Sequence, residues 1–207
     1  MPVLTGFLCN PDPIVNTGKP LSIELLEAVR DRWQQDGAPT AEALRPGLGD
    51  AEMDELTAPL GLRLPPEART LWSWHDGAEP GPNVRWVGTD WEPLPLSRAV
   101  TETQNYRTFL WGPHGEDRGR VVWPESFLIL TKPGRSDALI IDGDGDLPTS
   151  SVSHYILEDA AGSVWAGSIG ELVERWLRAM ERRIAHFDRS QSRWTFDSEA
   201  IAETENI

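Results

Sequence analysis

The feature that most constrains this 207-residue chain is the order of its hydrophobic periods: helical spacing comes first, strand spacing in the middle, and helical spacing again near the end. Without βαβ alternation the strands have no crossovers to make them parallel. The order therefore predicts a single α+β domain, a mostly antiparallel sheet packed with flanking helices. The first helix is expected in SIELLEAVRDRWQQDG, with Ser22 as N-cap, Leu25, Leu26, Val29 and Trp33 on one face, and Gly37 as terminator. APTAEALRPGLG reads as a connector. A second helix starts at Asp50, turns Met53, Leu56 and Leu60 inward, and stops at Pro59 and Gly61. A third begins at Pro66, buries Ala68, Leu71, Trp72 and His75, and ends before Gly77.

Beyond it, NVRWVG and WEPLPL are expected as short strands and SRAVTETQNYRTFL as a helix. SFLILTK, DALIID and VSHYILED follow as strands, the last two joined by the hairpin loop DGDGDLPTS. SIGELVERWLRAMERRIAHF is expected as one helix with a capping box at Ser168 and Glu171. Leu172, Val173, Trp176, Leu177, Met180 and Ile184 share its face, and Arg178, Arg182 and Arg183 lie toward the negative end of its dipole. The proline-rich first twenty residues form an arm, and DSEAIAETENI a frayed acidic tail. The expected organisation is arm and helix in 1–44, the α+β domain in 45–187 and a tail in 188–207.

A net charge of −14, with a pI near 4.6, sets up a field that repels phosphate backbones and anionic lipid. Direct nucleic-acid and membrane partners are therefore not expected. The acid excess lies between residues 21 and 170, whereas 171–196 is weakly basic. The single cysteine, Cys9, excludes an intramolecular disulfide and a cysteine-based zinc site, which suits a reducing compartment. Leu8 stands where a lipoprotein cleavage site needs a small residue, and no run approaches the roughly 18 apolar residues of a membrane span. A soluble cytoplasmic protein is expected.

The sharpest candidate for chemistry is ALIIDGDGDL, an apolar strand running into Asp142, Asp144 and Asp146. As an EF-hand loop it lacks the sixth-position glycine and the twelfth-position glutamate, where Leu147 and Ser153 stand. As a dinucleotide loop it has Pro148 for the third glycine and no following helix. As a haloacid-dehalogenase motif it lacks any lysine after Lys132. An Asp-x-Asp cation clamp stays open, against the simpler reading of a polar hairpin turn. The histidines 75, 114, 154 and 186 fall in separate segments without ligand spacing. His75 is best read as packed and hydrogen-bonded to backbone carbonyls. Ten tryptophans are the unusual component: Trp33, Trp72 and Trp176 lie on core faces, while Trp74, Trp86 and Trp91 are candidates for exposed binding residues beside acid.

In GLRLPPEARTLWSWHDG, the run of Gly61, Leu64-Pro65, a short helix with Leu71, and His75-Asp76-Gly77 resembles the signature of the SUKH superfamily. That group includes yeast cell-wall-synthesis regulators of the Smi/Knr type and many bacterial immunity proteins. The resemblance covers about residues 45–185, with Asp76 standing where Asn is common. It implies an α+β fold and binding without a shared catalytic site or cofactor: a non-catalytic immunity protein that caps a cognate toxin, often one acting on nucleic acid. A regulatory scaffold for a cellular partner is the second reading, and a metal-dependent enzyme using Asp142, Asp144 and Asp146 the third. The binding surface expected on this basis comprises Trp74, Asp76, Trp86, Asp90 and Trp91 together with Asp142, Asp144 and Asp146.

Overall fold

The computed structural model describes residues 19–88, 91–111, 125–131, 137–142, 149–156 and 161–197. Among these, six helices surround a four-stranded antiparallel sheet, and a two-stranded antiparallel ribbon lies beside them. The helices are α1 (Ile23–Asp36), α2 (Thr40–Ala43), α3 (Asp50–Thr57), α4 (Pro66–Trp74), α5 (Leu96–Trp111) and α6 (Ile169–Glu181). The sheet runs β1 (Phe127–Thr131), β2 (Asp137–Asp142), β3 (Val152–Ile156), β4 (Ala161–Ala166) in spatial as in chain order, and the ribbon is β5 (Ala185–Asp188) with β6 (Arg193–Phe196). This is the α+β class that the period order requires. No helix among the described residues is long and apolar enough to cross a membrane.

The sheet is covered on both faces, which explains why ALII in β2 is apolar without alternation. Leu128, Leu139 and Ile141 join the main core with α1, α4 and α6, while Ile129, Ala138 and Ile140 pack with Leu94, Tyr106 and Phe127. The Thr103 hydroxyl fastens α5 to β1, donating to the Ala99 carbonyl at 2.8 Å and accepting from the Ile129 N–H at 3.0 Å.

The first helix forms as its sequence dictates. The Ser22 side chain accepts from the Leu25 N–H, Gly37 closes the helix at φ 72°, and Leu26, Val29 and Trp33 are buried. Helix α3 runs through Thr57 and tightens into a 3-10 turn that Gly61 ends at φ 69°. The connector, however, contains α2. The Thr40 hydroxyl donates to the Arg85 carbonyl and accepts from the Arg85 N–H, a side chain acting as a short strand partner for the loop opposite.

That loop is one of three places where the expected elements change. NVRWVG and WEPLPL form no strands; Pro93 and Pro95 have no N–H to give a ladder. The two segments are held instead by single bonds, Trp86 N–H to the Trp91 carbonyl and Ala78 N–H to the Pro93 carbonyl. Second, β4 is a strand that the small residues of AGSVWA did not announce; it pairs with β3 through a bulge next to Val152. Third, the closing helix stops at Glu181. Arg183 takes a left-handed φ of 58°, and the chain turns into β5, burying Ala185 and Phe187 against Trp194. The tail expected from residue 188 thus carries β6. The Trp194 indole donates to the Asn83 carbonyl at 3.2 Å, and Arg189 donates to the carbonyls of Gln34, Gln35 and Asp36 at the end of α1.

Helix α1 and the β5–β6 ribbon share one core with α4 and α6, so packing does not break at 44/45 or at 187/188. The arm before Lys19, the 143–148 loop and the tail after Asp197 lie outside the described residues.

Candidate functional site

The stretch that carries the family resemblance is built around two clasps. The first is the turn His75-Asp76-Gly77. Helix α4 ends because His75 adopts extended backbone, φ −150° and ψ 136°. Its Nδ1 lies 2.6 Å from the Arg45 carbonyl; a carbonyl only accepts, so Nδ1 carries the proton. This is the carbonyl-bonded histidine that its helical position suggested. Asp76 is 4% exposed, and its Oδ1 accepts from the Leu96 N–H at 2.7 Å, satisfying the first donor of α5. Its Oδ2 faces the Arg45 guanidinium at 3.3 Å. Gly77, at φ 63°, lets the chain pass against the Leu94–Pro95 peptide, and backbone bonds from Arg45 to Gly77 and from Asp76 to Pro46 complete the turn.

Asp76 is therefore corrected from a surface residue to a cap for α5. Burial pushes its carboxyl above the usual range, and the Leu96 N–H and Arg45 oppose that shift without cancelling it. A carboxyl with a raised folded-state pKa contributes stability that is full below its unfolded value and is lost as pH rises through the folded value. Asp76→Asn keeps an acceptor for Leu96 and has no charge to bury. The variant should gain on the parent as pH rises from about 4 through the raised folded-state value, then level off within about 1 kcal/mol of it at neutral pH, as urea-unfolding free energies across pH would show. Asp76→Ala, which leaves the Leu96 donor unmet, should cost about 1–2 kcal/mol.

The second clasp was not legible in the sequence. Glu67, 1% exposed, holds four backbone donors: Leu21 and Gly170 on Oε1 at 2.7 and 2.9 Å, Ser150 and Ile169 on Oε2 at 2.7 and 3.2 Å. Its charge sits at the positive end of the α6 dipole. With it, every early donor of α6 is met: Ile169 and Gly170 by Glu67, Glu171 by the Ser168 hydroxyl, and Leu172 by the Ser168 carbonyl. Of the expected capping box, the Ser168 half forms, while the return bond moves by one residue, Glu171 accepting from the Gly167 N–H at 2.8 Å. The one available sequence signal was a carboxylate at i on the face that Leu71 and Trp74 continue at i+4 and i+7.

The tryptophans divide differently from expectation. Trp86 and Trp91 are 5% and 4% exposed, a correction to their expected exposure. Trp86 lies between Trp33 and Trp176, with ring centroids 5.4 and 5.5 Å apart, and the Trp33 indole donates to the Trp86 carbonyl. Trp91 meets the Trp165 ring edge-on at 5.4 Å, and His154 lies tilted against the Trp165 ring at 4.4 Å. Both belong to the core because residues 83–88 and 91–95 fold inward rather than forming strands. Trp74 is half-buried, and its indole donates to Glu27 Oε1 at 2.6 Å. Asp142 ends β2 opposite Phe127, whereas Asp90, Asp144 and Asp146 lie outside the described residues. Among the described residues no three His, Cys, Asp or Glu side chains gather as metal ligands.

The carboxylates that do reach solvent concentrate on α3, where Asp50, Glu52, Asp54 and Glu55 occupy half of eight positions. Arg69 reaches Asp50 and Asp54 from α4 and pairs with both. No family model matches this chain, and no curated protein matches it.

Proposed function

We propose that this chain is a non-catalytic protein-binding domain, acting in the cytoplasm as an immunity protein that neutralises a cognate toxin by stoichiometric binding. The observation that carries the reading is how the resembling motif is used. Leu64, Pro65, Leu71 and the His75-Asp76-Gly77 turn are engaged in packing and backbone bonds, while exposed carboxylate is left on α3 and α1. A negatively charged surface on a rigid frame attracts a basic partner over a distance, raising the on-rate and covering the groove through which that partner handles nucleic acid.

The test is co-expression with the product of the adjacent gene, followed by purification. The expected results are restored growth, a 1:1 complex, and an association rate that falls about tenfold or more between 50 mM and 500 mM salt. A folded chain that forms no complex while growth is still restored would overturn binding as the mode of action.

A further inference from the structure

Resting on that reading, we infer that the partner is received on the outer face shared by α1 and α4, centred on Ile23 and Trp74, and that it presents lysine or arginine around an apolar side chain. The two helices run parallel and in register. Leu21 meets Glu67 at one end and Glu27 meets Trp74 at the other, offsets of 46 and 47 residues. Ile23 lies one turn before Glu27 on the same flank of α1 and is 42% exposed, one of two large apolar side chains so exposed among the described residues.

Trp74 is fixed in advance of any encounter. Its indole N–H is held by Glu27, and its ring meets His75 edge-on at 4.5 Å. A rigid, half-exposed tryptophan loses little freedom on binding, which makes it an anchor rather than filler. The neighbouring hydroxyls offer no competing polarity, because Thr70 donates to the Pro66 carbonyl and Ser73 to the Thr70 carbonyl of their own helix.

Charge decides the occupant. Glu24, Glu27 and Asp31 line the α1 side of the apolar centre, and Arg30 on the same helix is bridged to Glu27 and Asp31. The Glu24 carboxyl is held below its usual range by its own backbone N–H and by Ser22, so Glu24 keeps its charge further into acid. An apolar centre flanked by these carboxylates matches a basic surface and repels an acidic one, including a second copy of this chain.

The experiment places p-benzoylphenylalanine at position 23, or at position 55 on α3 as a comparison, in the full chain in its native cells. Cross-linked species are identified, and the captured protein is purified and titrated against the parent and against Glu24→Lys/Asp31→Lys. The expected outcome is an adduct with a basic protein from position 23, with affinity about tenfold or more weaker for a double variant that is still folded. An adduct from position 55 alone overturns this face but leaves the binding function standing. An adduct with residues 1–18 or with a second copy overturns the assignment of the partner. A folded chain that yields no adduct at either position overturns both the face and the binding function.

Discussion

Replacing Glu67 by glutamine is expected to lower the unfolding free energy by about 3–5 kcal/mol. Glutamine has nearly the same shape, so the loss comes from chemistry rather than packing. The carboxylate offers two acceptor oxygens to four N–H groups, from Leu21 just before α1, Ser150 just before β3 and the first turn of α6. An amide replaces one of those oxygens with an NH2 group, which faces two donors and can accept from neither. Each buried N–H left unmet costs about 1–3 kcal/mol, and the favourable charge at the helix N-terminus goes with it. Glu67→Ala should be at least as damaging, whereas Glu171→Gln, which keeps an acceptor for the Gly167 N–H, should cost about 1 kcal/mol. Equilibrium urea unfolding measures all three.

Gly77→Ala is expected to cost about 3 kcal/mol or more, because two separate effects meet there. The left-handed backbone, φ 63°, disfavours any side chain by about 1–2 kcal/mol. A Cβ would also lie 2.4 Å from the Leu94 carbonyl carbon and the Pro95 nitrogen, backbone atoms that cannot rotate away. Moving them would pull Leu96 from Asp76 and the Leu94 carbonyl from the Trp72 indole, which donates to it at 3.1 Å. Two other glycines separate the contributions. Gly61 has a similar φ of 69° but open space around its Cβ position, so Gly61→Ala should show the backbone strain alone, about 1–2 kcal/mol. Gly49 has neither feature, and Gly49→Ala should be close to neutral. Thermal melts of the three variants rank the effects; equal losses at Gly61 and Gly77 would remove the steric part of the explanation.

What could be read from the sequence was what local chemistry controls. Ser22 and Gly37 bracket α1 because a hydroxyl cap and a left-handed glycine act within a few residues. The α+β class followed from the order of periods, which is a property of whole segments. The misreadings came where distant parts of the chain decide. AHF continues the helical pattern of α6 until pairing with RWTF pulls it into a strand, and the partner lies nine residues further on. NVRWVG has strand composition but finds the Thr40 side chain and the Asn83–Ser192 contact in place of a ladder.

The site was legible in type more than in place. His75 was rightly read as bonded to a backbone carbonyl. Asp76 and the Trp86–Trp91 pair pointed to a surface and were instead folded inward, because sequence spacing shows neither that residues 43–48 cover the Asp76 turn nor that Trp33, Trp176 and Trp165 cover the two rings. Glu67 looked like any acidic residue in the first turn of a helix. Its importance depends on three segments 46, 83 and 102 residues away, a relation no local pattern encodes.

The central claim is that one buried carboxylate and one turn fix the frame, leaving the outer faces free for a partner. Native-state hydrogen exchange at the amides of Leu21, Ser150, Ile169 and Gly170 tests it most directly. Bonded to one carboxylate, the four should exchange only through a shared opening close to global unfolding, and Glu67→Gln should accelerate all four together. Four amides that exchange at unrelated rates, unchanged by the substitution, would contradict the account.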